Sequence, residues 1–251
     1  MRGPLSSSPS PRRSTLKREN NSLDALELRD PPVQVALRRS RGARRMSLSV
    51  SRIDGGARLT IPHRCSRKAA RAFLEEHRDW LRATLAKTPA ERRIAIGSEL
   101  PYRGRVLTLR HAPKTRLLRL DAENTLWVGG PPDQAGRRAV AWLKEEARAT
   151  LLSRSRKYAE QLGTRFERVS IRDTRSRWGS CSSAGALSYS WRLIMAPESV
   201  LDYVAAHEAS HLLEMNHSDR FWAHVERLRP DWREQRDWLR AHGADLHLYR
   251  A

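Results

Sequence analysis

The chain is poor in cysteine. Cys65 and Cys181 are the two it has in 251 residues, far apart and in no C-x-x-C spacing. That excludes a disulfide scaffold, leads us to expect a reducing, cytoplasmic compartment, and leaves any metal site to His and carboxylates. Lysine is scarce as well: six of the 48 basic residues, the other 42 being Arg. No apolar run approaches the roughly 18 residues of a membrane span, so no membrane partner is expected. The opening MRGPLSSSPSPRRSTLKREN has no apolar core, so a secretory leader is not expected. Pro4, Pro9 and Pro11 oppose the amphipathic helix of a transit peptide. No internal repeat is visible, and no Gly-rich phosphate cradle.

What the chain has in excess is positive charge, formally +20. A polyanion would be attracted to it, so weak non-specific nucleic-acid binding is one expected interaction. The excess is spread along the chain, however. It is carried by Arg beside abundant Ala, the bias of GC-rich codons, so the charge alone assigns no nucleic-acid function.

Hydrophobic patterning divides the chain into three. Residues 1–31 are rich in Ser, Pro and Arg and read as a disordered basic tail. Residues 32–134 are strand-rich. VQVALRR, MSLSVSRI and ARLTIP alternate with period two, with Gly55–Gly56 marking a turn. A helical pattern capped by Ser66 runs through SRKAARAFLEEHRDWLRATLAK, and RVLTLR, TRLLRL and TLWVGG resume the strands. Residues 135–251 open with a long helix, about 135–162, stopped by Gly163. A hairpin is then expected, with VSI and ALSYSWRL as strands and SSAG as turn. Helices follow: one opened by Pro197, DRFWAHVERL stopped by Pro230, and DWREQRDWLRAHG stopped by Gly243. The fold class is α+β, with a strand-rich N-terminal half, a long linking helix, and a β-hairpin plus helices.

HEASHLLEMNH, residues 207–217, holds three histidines and a glutamate. His207 and His211 are four apart, about 40° around a helix and about 6 Å along it, so both imidazoles leave one face and can chelate one tetrahedral ion. This is the mechanical content of H-E-x-x-H and points to Zn2+. Glu208, next to the first ligand, can reach a water polarised by the ion and act as general base. A catalytic zinc needs a third protein ligand and one open position. His217 is the candidate, but six residues of unbroken helix would turn it away by about 240°. The helix must therefore end near Met215, with Asn216 as the left-handed turn residue and Ser218 or Asp219 capping the next helix. Glu226 and Glu234 compete as third ligands, and His224 reads as structural.

RSRWGSC at 175–181, WRL at 191–193 and APESVLDYVAAHEASHLLEMNHSDRFW at 196–222 together resemble the YgjP-like metallopeptidase family, related to SprT-like and other minimal H-E-x-x-H zinc peptidases. The resemblance covers about 32–243. It implies a zincin-like metallopeptidase core over 135–251, zinc ligands at His207, His211 and His217, Glu208 as catalytic base, and a peptide or protein substrate. Ser190 stands where the family commonly has Asn, and Ser210 where it has Leu. Neither touches an expected ligand. In the RSRWGSC hairpin, Arg177 or Arg192 is a candidate to stabilise the oxyanion. The strand edge is a candidate to receive an extended peptide. Trp178 and Trp191 read as core, and Cys181 as a buried small residue. A zinc-dependent nucleotide phosphoanhydride hydrolase is an alternative, since Arg suits phosphate. A nucleic-acid-associated protein with a basic surface is another.

Overall fold

The computed structural model describes residues 24–51 and 55–251. They form two compact units, one of residues 24–49 and 57–78, the other of residues 50–51, 55–56 and 79–251. The tail expected over 1–31 lies outside the described residues up to position 23. Its last part is ordered: Ala25–Leu28 is a strand whose Leu26 and Leu28 are buried.

The first unit holds β1 (Ala25–Leu28), β2 (Val33–Ser40), β3 (Ser47–Val50), β4 (Ala57–Pro62) and α1 (Arg67–Glu76). Its sheet runs β1-β2-β4-β3, with β1 antiparallel and β4 parallel to β2. The period-two pattern puts Val35, Leu37, Leu59 and Ile61 inside. Ser66 caps α1 by accepting the Ala69 N–H. The helix expected to continue to Lys87 stops at Glu76. His77 leaves helical geometry (φ −98°, ψ 15°), its ring stacks on Phe73 at 4.0 Å, and its Nδ1 bonds the Phe73 carbonyl. That carbonyl is held by the side chain as the helix ends.

The second unit holds α2 (Arg78–Ala86), β5 (Arg92–Arg93), β6 (Glu99–Tyr102), β7 (Arg105–Ala112), β8 (Leu118–Leu120), β9 (Thr125–Gly129) and α3 (Ala135–Gln161). It continues with β10 (Arg168–Arg172), β11 (Gly179–Cys181), β12 (Ala186–Ser190), α4 (Glu198–Ser210), α5 (Asp219–Leu228), α6 (Trp232–Leu246) and β13 (Tyr249–Arg250). The sheet β6-β7-β9-β8 repeats the strand order of the first unit's sheet, and its first two pairings, antiparallel and then parallel, have the same sense. The sequence carries no repeat, so this repetition is one of topology alone.

The long helix α3 buries Ala139, Leu143, Ala147, Leu151, Ser155 and Tyr158 along one stripe. It packs on α4 and on the 3-10 turn Trp191–Met195. Gly163, at φ +67°, ends it as expected.

The expected hairpin is corrected. The strand paired across the SSAG turn is β11, antiparallel to β12. The VSI strand, β10, lies parallel on the other side of β12. A tight turn, here with Gly185 at φ +76°, can pair only the residues beside it, and β10 ends well before that turn. The sheet order β10-β12-β11 leaves β11 as an edge strand against α4. Helix α6 likewise runs through Gly243, where it was expected to stop. A Cβ there would come within 2.8 Å of Trp178 Cζ2, so the glycine serves a close approach and not a helix end.

Helix α4 is buried on nearly every side. Its mid-helix acid, Asp202, is 7 % exposed. It accepts a bond from the Tyr158 hydroxyl at 2.7 Å and pairs with Arg229 and, at 3.3 Å, with Arg154. These contacts fix the helix that carries the candidate site.

Candidate metal centre

His207 and Glu208 lie in the last turn of α4, and His211 caps it. The helix ends at Ser210, earlier than the spacing predicts. The Ser210 hydroxyl bonds back to the Ala206 carbonyl at 2.8 Å, and the Leu213 and Glu214 amides turn onto the Ser210 carbonyl. Asn216 is not left-handed; a short run of turns does the work given to it. Ser218 then caps α5 by accepting the Phe221 N–H.

This bend brings the three imidazoles together. Their candidate ligand nitrogens all lie within 4.8 Å of one another. His207 Nε2 and His217 Nε2 are 3.2 Å apart. Two nitrogens on one tetrahedral zinc, each at 2.0–2.1 Å, stand about 3.3 Å apart, so this pair already has the edge length such an ion requires. His211 Nδ1 bonds the Glu214 carbonyl at 3.0 Å, which makes it the protonated nitrogen and leaves Nε2 with its lone pair. Phe221, fully buried, packs against all three rings, with centroids 4.9, 4.4 and 4.7 Å from His207, His211 and His217. Burial first, then the neighbouring His211 and His217, pushes His207 down to about 3. Burial also lowers His211. Both are therefore neutral near pH 7, the form that binds metal. The donor set fits a borderline-soft divalent ion such as zinc.

Glu208 is 5 % exposed and borders a cleft shared with His207. Burial pushes its carboxyl up to about 8, opposed by the Arg177 guanidinium. Gly179 on β11 faces it so closely that a Cβ there would lie 2.7 Å from Glu208 Cδ. Gly179 stood inside the quoted motif, but nothing in the sequence said what it faced. Phe221 was missed for the same reason. Its position four residues after His217 was the available signal.

Other candidates sit elsewhere. Glu226 is taken by Trp232 and Arg233. Glu234 is exposed, and neither acid joins the cluster among the described residues. Arg192 is 2 % exposed and stacks on Trp191. Its Nε donates to Asp173 and its Nη1 to the Leu246 and Tyr249 carbonyls. It ties the C-terminal segment to the 3-10 turn. Arg177 is exposed and near enough to Glu208 to bias its charge. Cys181 is half-buried, and burial pushes its thiol up to about 11. Among the described residues no helix is long and apolar enough to cross a membrane.

A buried His-Glu-x-x-His helix, with a third imidazole folded back onto it, has the makings of a metallohydrolase centre. The chain belongs to the YgjP-like family: the family's metallopeptidase domain matches residues 44–242. It is also similar to the metallopeptidase zymogen of Pyrococcus abyssi abylysin, known from a crystal structure. That match is 23 % identical, with a TM-score of 0.34, and covers 37 % of this chain and 92 % of that one. No curated protein matches the chain.

Proposed function

We propose that the chain is a zinc-dependent peptidase in which His207, His211 and His217 hold the ion and Glu208 is the general base. The observation that carries this reading is the convergence of three imidazoles beside a buried carboxylate. When bound, zinc supplies a Lewis acid that polarises water and the scissile carbonyl. The rest is done by the chain. The Glu214 carbonyl and the Phe221 ring hold the imidazoles in place. The wall formed with Gly179 keeps the Glu208 carboxylate fixed and largely out of bulk water. A dication beside that carboxylate favours its ionised form. Glu208 then takes a proton from the attacking water on one oxygen and delivers it to the leaving amine. Arg177, exposed near Glu208, is the candidate for the developing oxyanion. The free edge of β11 is the candidate to align an extended peptide.

The test is a comparison of the wild type with Glu208→Gln for bound metal and for turnover of casein and a broad peptide panel. We expect equal zinc and a loss of activity of about 10² or more. Equal turnover in both proteins would remove Glu208 from the mechanism.

A further inference from the structure

The cleft beside the cluster, about 410 Å³, is lined by groups of different character. Helix α4 lends it His207 and Glu208. Trp178, Tyr203, Val204 and Leu239 give it apolar surface. Helix α6 adds Arg236 and Arg240, four residues apart on one helix face. Nothing in the proposed hydrolysis uses them.

Arg236 is held as a planar fork. Its guanidinium lies over the Trp232 ring at 4.7 Å and near Trp222 at 5.9 Å, and those two indoles stack on each other at 4.3 Å. Its Nε is buried without a hydrogen-bond partner, and its one ion pair among the described residues, to Asp237, is long at 3.8 Å. Arg240 shares the same Asp237 oxygen at 3.3 Å and is largely exposed. One carboxylate therefore serves two guanidiniums, and both arginines line the cleft that Glu208 also lines. A stacked, immobilised Arg loses little entropy on binding and presents paired N–H groups that match a carboxylate.

We infer that this cleft is a specificity subsite for a substrate carboxylate, with Arg236 and Arg240 as its receptors. It accepts a residue whose aliphatic stem lies on Trp178 and Leu239 and whose acid reaches the two guanidiniums. That acid is an Asp or Glu side chain or a peptide's terminal carboxylate. The inference rests on the reading of the site as a peptidase centre.

Binding tests it separately from turnover. Fluorescein-labelled peptides carrying Glu, Gln or Lys at one position, each with a free or an amidated C-terminus, are titrated into the full-length zinc-loaded Glu208→Gln protein and followed by anisotropy. The Glu peptide should bind about tenfold or more tighter than the Gln peptide, with Lys weakest. If free and amidated forms differ more than Glu and Gln do, the terminal carboxylate is the ligand. In the same background Arg240→Gln should collapse the preference, Arg240→Lys should keep part of it, and Arg236→Gln should remove it. Arg240 is exposed, so its variants report binding and not folding. Equal affinity for Glu, Gln and Lys with no effect of the terminus would overturn the subsite, as would a preference that survives Arg240→Gln and Arg236→Gln. Failure of the zinc-loaded wild type to cleave any of these peptides, with the binding preference intact, would instead count against the peptidase reading.

Discussion

Replacing Gly179 by Ala separates the base from the metal ligands. The three atoms nearest to an added Cβ all belong to Glu208, with Cδ at 2.7 Å, so the methyl would overlap the carboxylate. Non-bonded carbons rest at about 3.5–4.0 Å, so the carboxyl must retreat by about 1 Å or β11 must move. Backbone strain does not enter, because Gly179 lacks the positive φ of Gly185 or Gly163. A misplacement of about 1 Å at a reacting group costs on the order of 10² in rate. We therefore expect kcat/KM for a cleaved peptide to fall by about 10², with one zinc still bound and the thermal midpoint nearly unchanged. Metal content by mass spectrometry, a melting curve and steady-state kinetics on one preparation make the assay. Turnover within a few fold of the wild type would refute the packing argument. Loss of zinc together with activity would show that β11 supports the histidines and not Glu208 alone.

Two further outcomes concern stability. Asp202→Asn removes the acid that faces Tyr158, Arg154 and Arg229, leaving the two cations only Glu198 and Asp231 as partners, and should cost about 1.5–3 kcal/mol in urea unfolding. A loss below about 1 kcal/mol would mean water replaces the acid. His247 is 3 % exposed, and burial, then the Arg192 guanidinium, holds it down to about 4. The unfolded chain takes that proton near pH 6.5, so the stability is present above about 6.5 and is lost as pH falls toward 4. The total is on the order of 3 kcal/mol, and His247→Phe should flatten that part of the stability–pH curve. An unchanged slope would assign the acid sensitivity to other groups.

The reach of sequence reading differs from one element to the next for physical reasons. The i,i+4 histidines were legible because one helical turn fixes their geometry wherever the helix lies. The break before His217 was legible as a necessity, but its place was not. The helix stops at Ser210 through a hydroxyl bonded to its own backbone, and a serine inside a helical pattern carries no mark of that. Gly243 misled for the complementary reason. Glycine ends helices, but here it makes room for Trp178, a neighbour that only the fold supplies. Strand existence followed from alternation, whereas pairing did not. Alternation in VSI and ALSYS is equally consistent with a hairpin and with the parallel pair that forms. Arg192 illustrates the limit for single charges. Its type suits an oxyanion, but its partners are the Leu246 and Tyr249 carbonyls, more than fifty residues away.

The central claim is that three imidazoles share one zinc ion beside Glu208. Zinc K-edge X-ray absorption on the full chain, loaded to one equivalent, tests it most directly. The account predicts a first shell of three imidazole nitrogens at about 2.0–2.1 Å and one oxygen ligand, with the imidazole scattering reduced by one ring in His217→Ala. A sulfur neighbour at about 2.3 Å, or a spectrum that His217→Ala leaves unchanged, would contradict it.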